Sequence, residues 1–144
     1  ACATAARLSD PPRMVSKQCF HIFPKIREVD RLMTPALQSR VREVHPEVAF
    51  WALNGQAPLA EPKKVKSRPS EPGLALRRGL LQQAGYDEAF LTRRLGPVSR
   101  IGPDDLLDAA ACAWTAARIL AGSATCFPES PARDGRGLRM QICG

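Results

Sequence analysis

Three aspartates, Asp104, Asp105 and Asp108, open the run P-D-D-L-L-D-A-A-A-C-A-W that starts at residue 103. On a helix, positions 105 and 108 share a face, and 104 and 108 are also neighbours. Like charges at these spacings repel, and neither position 111 nor 112 carries a Lys or Arg to compensate Asp108. A divalent cation held by carboxylate oxygens would balance them. Acids in a first helical turn also complement the helix dipole without any metal. That accounts for Asp104 and Asp105. It accounts poorly for Asp108, which lies beyond the first turn and precedes the apolar run 109–113.

A second constellation is Glu43, His45 and Glu47 in V-R-E-V-H-P-E-V. On a strand, residues 43 and 45 share a face, with Glu47 just past the break at Pro46. Carboxylates at a strand end, facing a helix that bears more carboxylates, would suit a hard cation. A solvated strand face is the plainer reading. His45 is a candidate for proton transfer or ligation, and equally for local capping. The third group is basic: Lys63, Lys64, Lys66 and Arg68 lie close enough together to grip phosphates, or form a solvated loop. No P-loop, G-x-G-x-x-G, G-x-S-x-G or H-E-x-x-H motif occurs.

The elements that must position these groups follow from periodicity and punctuation. Residues 1–14 read as irregular, closed by Pro11 and Pro12. Ser16 can cap a helix running to Met33, with Cys19, Ile22, Phe23, Ile26, Val29 and Met33 near helical spacing and a kink or restart at Pro24. Residues 40–45 alternate as a short strand ended by Pro46. The segment after it closes at Asn54-Gly55. Residues 56–73, with four prolines, form a long loop. Helices are expected over 74–84, ending at Gly85, and over 87–95. The clearest helix starts at Pro103, a residue suited to a first turn, and stops at Gly122. Its alanines favour helix and permit close approach to a sheet. S-A-T-C-F and G-L-R-M-Q-I-C read as a terminal hairpin. Trp51 and Trp114 read as core residues rather than base-stacking platforms.

The whole chain has 144 residues, enough for one domain with one core. Lys and Arg number 21 against 14 acids, a net charge of +7, which suits a polyanionic partner as well as plain solubility. No apolar run is long enough for a membrane span. The first residues show no secretory leader, and the absence of an initiator Met suggests a chain that begins inside a longer one. The cysteines number five, with no C-x-x-C pair. Free, mostly buried thiols in a reducing cytoplasm are therefore expected, and a zinc site is not.

Four blocks together carry a resemblance: S-K-Q-C-F-H-I-F-P-K-I-R-E-V-D, V-R-E-V-H-P-E-V-A-F-W-A-L-N-G, D-D-L-L-D-A-A-A-C-A-W-T-A-A-R-I and G-S-A-T-C-F-P-E-S-P-A-R-D-G-R-G-L-R-M-Q-I. They resemble the domain-of-unknown-function family 429, whose members are predicted ribonuclease-H-like nucleases, over essentially all of the chain. The resemblance implies a mixed sheet flanked by helices and carboxylates gathered around Mg²⁺ or Mn²⁺. D-x-x-D-A at the head of the last helix is also similar to the C-terminal acidic pair of Holliday-junction resolvases of that superfamily. On that match Asp105 and Asp108 become metal ligands, Glu43 the strand carboxylate and Glu47 the next candidate, with nucleic acid as substrate and two-metal hydrolysis as the chemistry. The family usually opens with a strand carrying D-G-x-x-G-G-W, which this sequence does not contain. The resemblance then implies the C-terminal portion of one domain, lacking the opening β-meander, with little or no nuclease activity of its own and an open sheet edge prone to self-association. At position 141, where the family often has Glu, this chain has Gln. A non-catalytic nucleic-acid-binding module, or a structural piece that depends on a partner, is the alternative.

Overall fold

The computed structural model describes residues 2–66, 68–93 and 101–144. In chain order they form α1 (Cys2–Leu8), α2 (Lys17–Leu32), a 3₁₀ turn (Leu37–Ser39), α3 (Pro46–Leu53), β1 (Lys64–Val65), β2 (Arg68–Pro69), α4 (Glu71–Gln83), α5 (Glu88–Leu91), α6 (Pro103–Leu120), β3 (Cys126–Phe127) and β4 (Ile142–Cys143). The architecture is mixed, mostly helical, with two small antiparallel sheets. No described helix is long and apolar enough to cross a membrane.

The core lies among α3, α4 and α6, closed by α5. It holds Ala49 and Phe50 from α3, Leu74, Leu80 and Leu81 from α4, Leu91 from α5, and Leu107, Ala110 and Ala111 from α6. On α4, residues 73, 74, 77, 80 and 81 are buried, the stripe that a 3.6-residue period turns inward. Ala110 and Ala111 carry no bulk, so α6 comes close to its neighbours. Those neighbours are helices α3 and α4, not the sheet expected from sequence.

Several expectations change here. The N-terminal segment is helical over Cys2–Leu8, because its three alanines favour helix and the prolines fall after it. Helix α2 begins as expected, with Ser16 Oγ accepting from the Cys19 amide at 3.0 Å. It then continues through Pro24 without a restart. The alternating run 40–45 yields one isolated bridge, Val44 to Cys143, instead of a strand. Pro46 does not merely end a ladder. It occupies the first turn of α3, and His45 becomes the N-cap, so the backbone leaves the extended conformation there. The loop 56–73 contains the β1–β2 hairpin, and α4 starts at Glu71 with Pro72 in its first turn. Helix α5 ends at Leu91, where Thr92 caps it. The remainder of the expected helix, at 94 and 95, lies outside the described residues.

The terminal hairpin is real but short: β3 and β4 pair antiparallel, Cys126 opposite Cys143. That register joins the two thiols in a disulfide, which corrects the expectation of free cysteines. Cys19 and Cys112 are free and half-buried. On its other side β4 meets Val44 in parallel, so β3, β4 and residue 44 form a small mixed ladder. Neither tryptophan is fully buried. Trp51 meets Phe127 edge-on, and Trp114 lies under the Arg118 guanidinium, 4.5 Å from the ring centre.

Candidate charged site at the head of α6

The first turns of α6 place Asp104 inward. It is 6% exposed, among the most buried polar groups described. Asp108, one turn on, is half-buried on the same side. Both face Lys63, which precedes β1. Its ammonium contacts Asp108 Oδ2 and lies 3.8 Å from Asp104 Oδ2. Lys64 adds a 2.9 Å bond to Asp104 Oδ2. The charge that compensates Asp108 therefore comes from a loop 45 residues earlier, a distance in sequence that helical spacing cannot reveal. Lys63 and Lys64 are ion-paired, while Lys66 and Arg68 are exposed and make no ion pair among the described residues.

The two aspartates are held differently. Burial pushes Asp104 upward, but the Lys64 hydrogen bond and the Lys64 and Lys63 charges pull harder, and its pKa falls below the ordinary carboxylate range. For Asp108 burial wins. Lys63 opposes it, the charges of Glu47 and Asp104 reinforce it, and the pKa is raised. Asp108 Oδ1 is buried with no hydrogen-bond partner among the described residues. Cys112, one turn further, has its thiol pKa raised by burial and then by the Asp108 charge.

Glu47, near the start of α3, is close enough to Asp108 to act on its ionisation, but it is already paired. Its carboxylate accepts from Arg77 Nε at 3.0 Å and Nη2 at 2.5 Å. Arg77 is 2% exposed, donates to the carbonyls of Glu61 and Gly73, and stands 5.5 Å from the centre of the Phe50 ring. Sequence reasoning passed over Arg77. The signal was present: a cation in the middle of the apolar stripe of α4 requires a buried acceptor.

The other expected residues lie elsewhere. Asp105 turns outward, and its Oδ2 accepts from the Gly102 amide at 2.7 Å, half of a capping box. His45 Nδ1 accepts from the Glu47 amide at 3.3 Å, which is the capping role. Glu43 is exposed beside β4, where its carbonyl accepts from the Cys143 amide at 2.9 Å. It lines a recess with Gln38, Arg42, Arg139 and Gln141. The structure thus brings Asp104, Asp108, Lys63 and Lys64 together, with Glu47 and Arg77 adjoining. Asp105 reaches that group through its charge alone, acting on Lys64, and no described contact joins Glu43 to it.

Residues 1–133 match the sequence profile described as protein of unknown function, DUF429. The chain belongs to that family. No curated protein and no solved structure gives a significant match.

The family resemblance implies a divalent cation, and the residues can be tested for it. Among the described residues, no three His, Cys, Asp or Glu side chains stand together as a ready metal cage. Mg²⁺ seldom needs one. It is commonly held by one or two carboxylates, with waters and substrate phosphates completing the shell. Asp104 and Asp108 supply hard oxygen donors on one helix face, and Asp108 Oδ1 is left without a partner. These two residues fit such a cation, with the Lys63 ammonium now between them.

Proposed function

We propose that this domain is a metal-dependent nuclease of ribonuclease-H-like type, hydrolysing phosphodiesters of DNA or RNA, with Asp108 as the residue on which activity turns. The observation that carries the reading is Asp108 itself: one oxygen paired, the other buried and partnerless, and the carboxyl held up by burial. A half-buried carboxylate with one oxygen left without a partner calls for an explanation, and a ligand supplies one. In this proposal Asp104 and Asp108 hold Mg²⁺ or Mn²⁺, with Glu47, whose charge acts on Asp108, as the nearest further carboxylate; Asp105 and Glu43, which the resemblance adds, stand apart from that group. The cation would supply an activated water and charge neutralisation at the phosphate. Lys64 and Lys63 favour the ionised form of Asp104 against the push of burial. Arg77 fixes Glu47 by two hydrogen bonds, so that carboxylate keeps its orientation. Lys63 is positioned to turn from Asp108 to a phosphate oxygen. The ladder of β3, β4 and Val44 is what a larger ribonuclease-H-like sheet would extend.

The test is cleavage of labelled single-stranded, double-stranded and branched oligonucleotides with Mg²⁺ and with Mn²⁺. Turnover that Asp108→Ala abolishes supports the site and removes the expectation that these residues alone are inactive. Turnover that survives Asp108→Ala removes Asp108 from the mechanism.

A second reading has its own observation. Lys63, Lys64 and Arg77 already neutralise Asp104, Asp108 and Glu47. On that reading the cluster is structural and the domain is a non-catalytic nucleic-acid-binding module, or one that self-associates along the edge at 41–44. Metal-free, salt-sensitive oligonucleotide binding would favour the former. Concentration-dependent sedimentation would favour the latter.

A further inference from the structure

The basic cluster visible in sequence, Lys63 to Arg68, is half consumed by Asp104 and Asp108. A second set of cations, scattered in sequence, is gathered by the fold. Gln38 ties the 3₁₀ turn to the C-terminal loop: its Nε2 donates to the Arg139 carbonyl at 2.8 Å, and its Oε1 accepts from the Arg139 amide at 2.8 Å. Arg139 also bridges to Arg133. This clamp sets Arg42 and Arg139 on one recess with Gln38, Glu43 and Gln141. Gln38, Glu43, Arg139 and Gln141 also line a larger adjoining cleft of about 490 Å³, together with Asp134; Arg42 stays on the recess side.

The state of these arginines sets them apart. Neither Arg42 nor Arg139 has a carboxylate partner among the described residues. Arg42 Nε is buried without a hydrogen-bond partner, a position that calls for an acceptor. Arg139 Nη2 reaches only the Gln38 carbonyl, at 3.5 Å. In the recess the two guanidiniums face one carboxylate, Glu43; Asp134, the second carboxylate of the larger cleft, already accepts through Oδ1 from the Arg136 and Leu138 amides. The amides of Gln38 and Gln141 are already engaged, Gln141 Nε2 donating to the Pro128 carbonyl at 2.8 Å, so they frame the recess and leave the charge to the arginines. Planar guanidinium forks match phosphate oxygens in geometry as well as charge.

We propose that the surface between residues 38–43 and 133–141, the recess and its adjoining cleft, receives the phosphate backbone of a nucleic acid, with Arg42 and Arg139 at the recess as its phosphate ligands. The inference rests on the reading that the domain acts on nucleic acid, and it names the surface that does the gripping.

The test is fluorescence anisotropy of the whole chain with labelled single- and double-stranded oligonucleotides, in EDTA, across a salt series. Arg42→Gln with Arg139→Gln is expected to weaken binding about tenfold at low salt and to reduce the slope of log affinity against log salt by about two for duplex. Lys66→Gln with Arg68→Gln, on the other basic segment, leaves the slope in place. Arg42→Lys with Arg139→Lys, which keeps both charges, retains most of the binding. Glu43→Gln tightens it by removing the carboxylate that shares the recess with both arginines. Equal losses from both glutamine pairs would show diffuse attraction and overturn the assignment. An equal loss in the lysine pair would show that the arginines act on the fold, and would overturn it too. Binding by the wild type that the Arg42 and Arg139 changes do not alter sinks the cleft and leaves the nucleic-acid reading standing. No binding by the wild type sinks both.

Discussion

Arg77 and Asp104 show how a buried charge is tolerated in this chain: each is surrounded by fixed partners. Arg77 has four hydrogen bonds, two to Glu47 and two to carbonyls. Truncation to Ala would strand the Glu61 carbonyl and leave the Glu47 carboxylate unpaired, at a cost of about 3 kcal/mol by urea denaturation. Arg77→Met, which refills the stem volume without a charge, should cost clearly less. Asp104 gives a pH signature. Its folded pKa lies below its ordinary value of 3.8, so the unfolded chain takes up its proton first. Its contribution is present above that ordinary value and is lost as pH falls through the folded pKa. Thermal melts of Asp104→Asn should therefore show a flatter loss of stability on the acid side than the wild type, and an unchanged acid limb would contradict the pairing with Lys63 and Lys64. The sequence put the emphasis on Asp105 and Asp108. Spacing on a helix could say that Asp104 and Asp108 are neighbours. It could not say which side of the helix faces the core.

At the scale of elements, the hairpin segment that carries Lys63 must be held against α4 and α6 for the charged site to exist. Gly73 is where that hold is tightest. A Cβ at this position would overlap the Pro62 carbonyl. Gly73→Ala is expected to cost about 1–3 kcal/mol, as overpacking does. Gly79, on the same helix, has open space around it, so Gly79→Ala should stabilise by about 0.5–1 kcal/mol. Urea midpoints moving in opposite directions would confirm the close approach, and matching shifts would refute it. Helices α2 and α6 were legible because their caps and alanines are local signals: Ser16, Pro103 and Gly122 all punctuate as expected. The run 40–45 was not, because its alternation competes with Pro46 and with a cap at His45, and the helix that starts there prevails. The register that joins Cys126 to Cys143 was equally hidden, since the two lie 17 positions apart with mostly irregular chain between them.

For the molecule as a whole, stability is unevenly spread. Helices α3, α4 and α6 enclose the core, while α2 buries no residue against the described part of the chain. Phe20, Ile22, Phe23, Ile26, Val29 and Leu32 are all exposed on α2. Its described tie to the C-terminal loop is Arg136, bonded to Asp30 at 2.9 Å and to the Met33 carbonyl at 2.6 Å. Amide hydrogen exchange should be fastest in α2 and slowest in the buried turns of α4 and α6. Protection of α2 equal to that of α6 would mean that its apolar face is covered in solution. The net charge of +7 was legible from composition, yet its distribution was not. The fold spends Lys63 and Lys64 internally and leaves Arg42 and Arg139 without carboxylate partners among the described residues.

The central claim is that Asp104 and Asp108 form a cation site. Calorimetric titration of the intact chain with Mn²⁺ tests it most directly, because it reads binding without requiring turnover. The account predicts a saturable heat for the wild type that Asp108→Asn abolishes while the variant stays folded. No saturable heat in the wild type, or an undiminished one in Asp108→Asn, would contradict it.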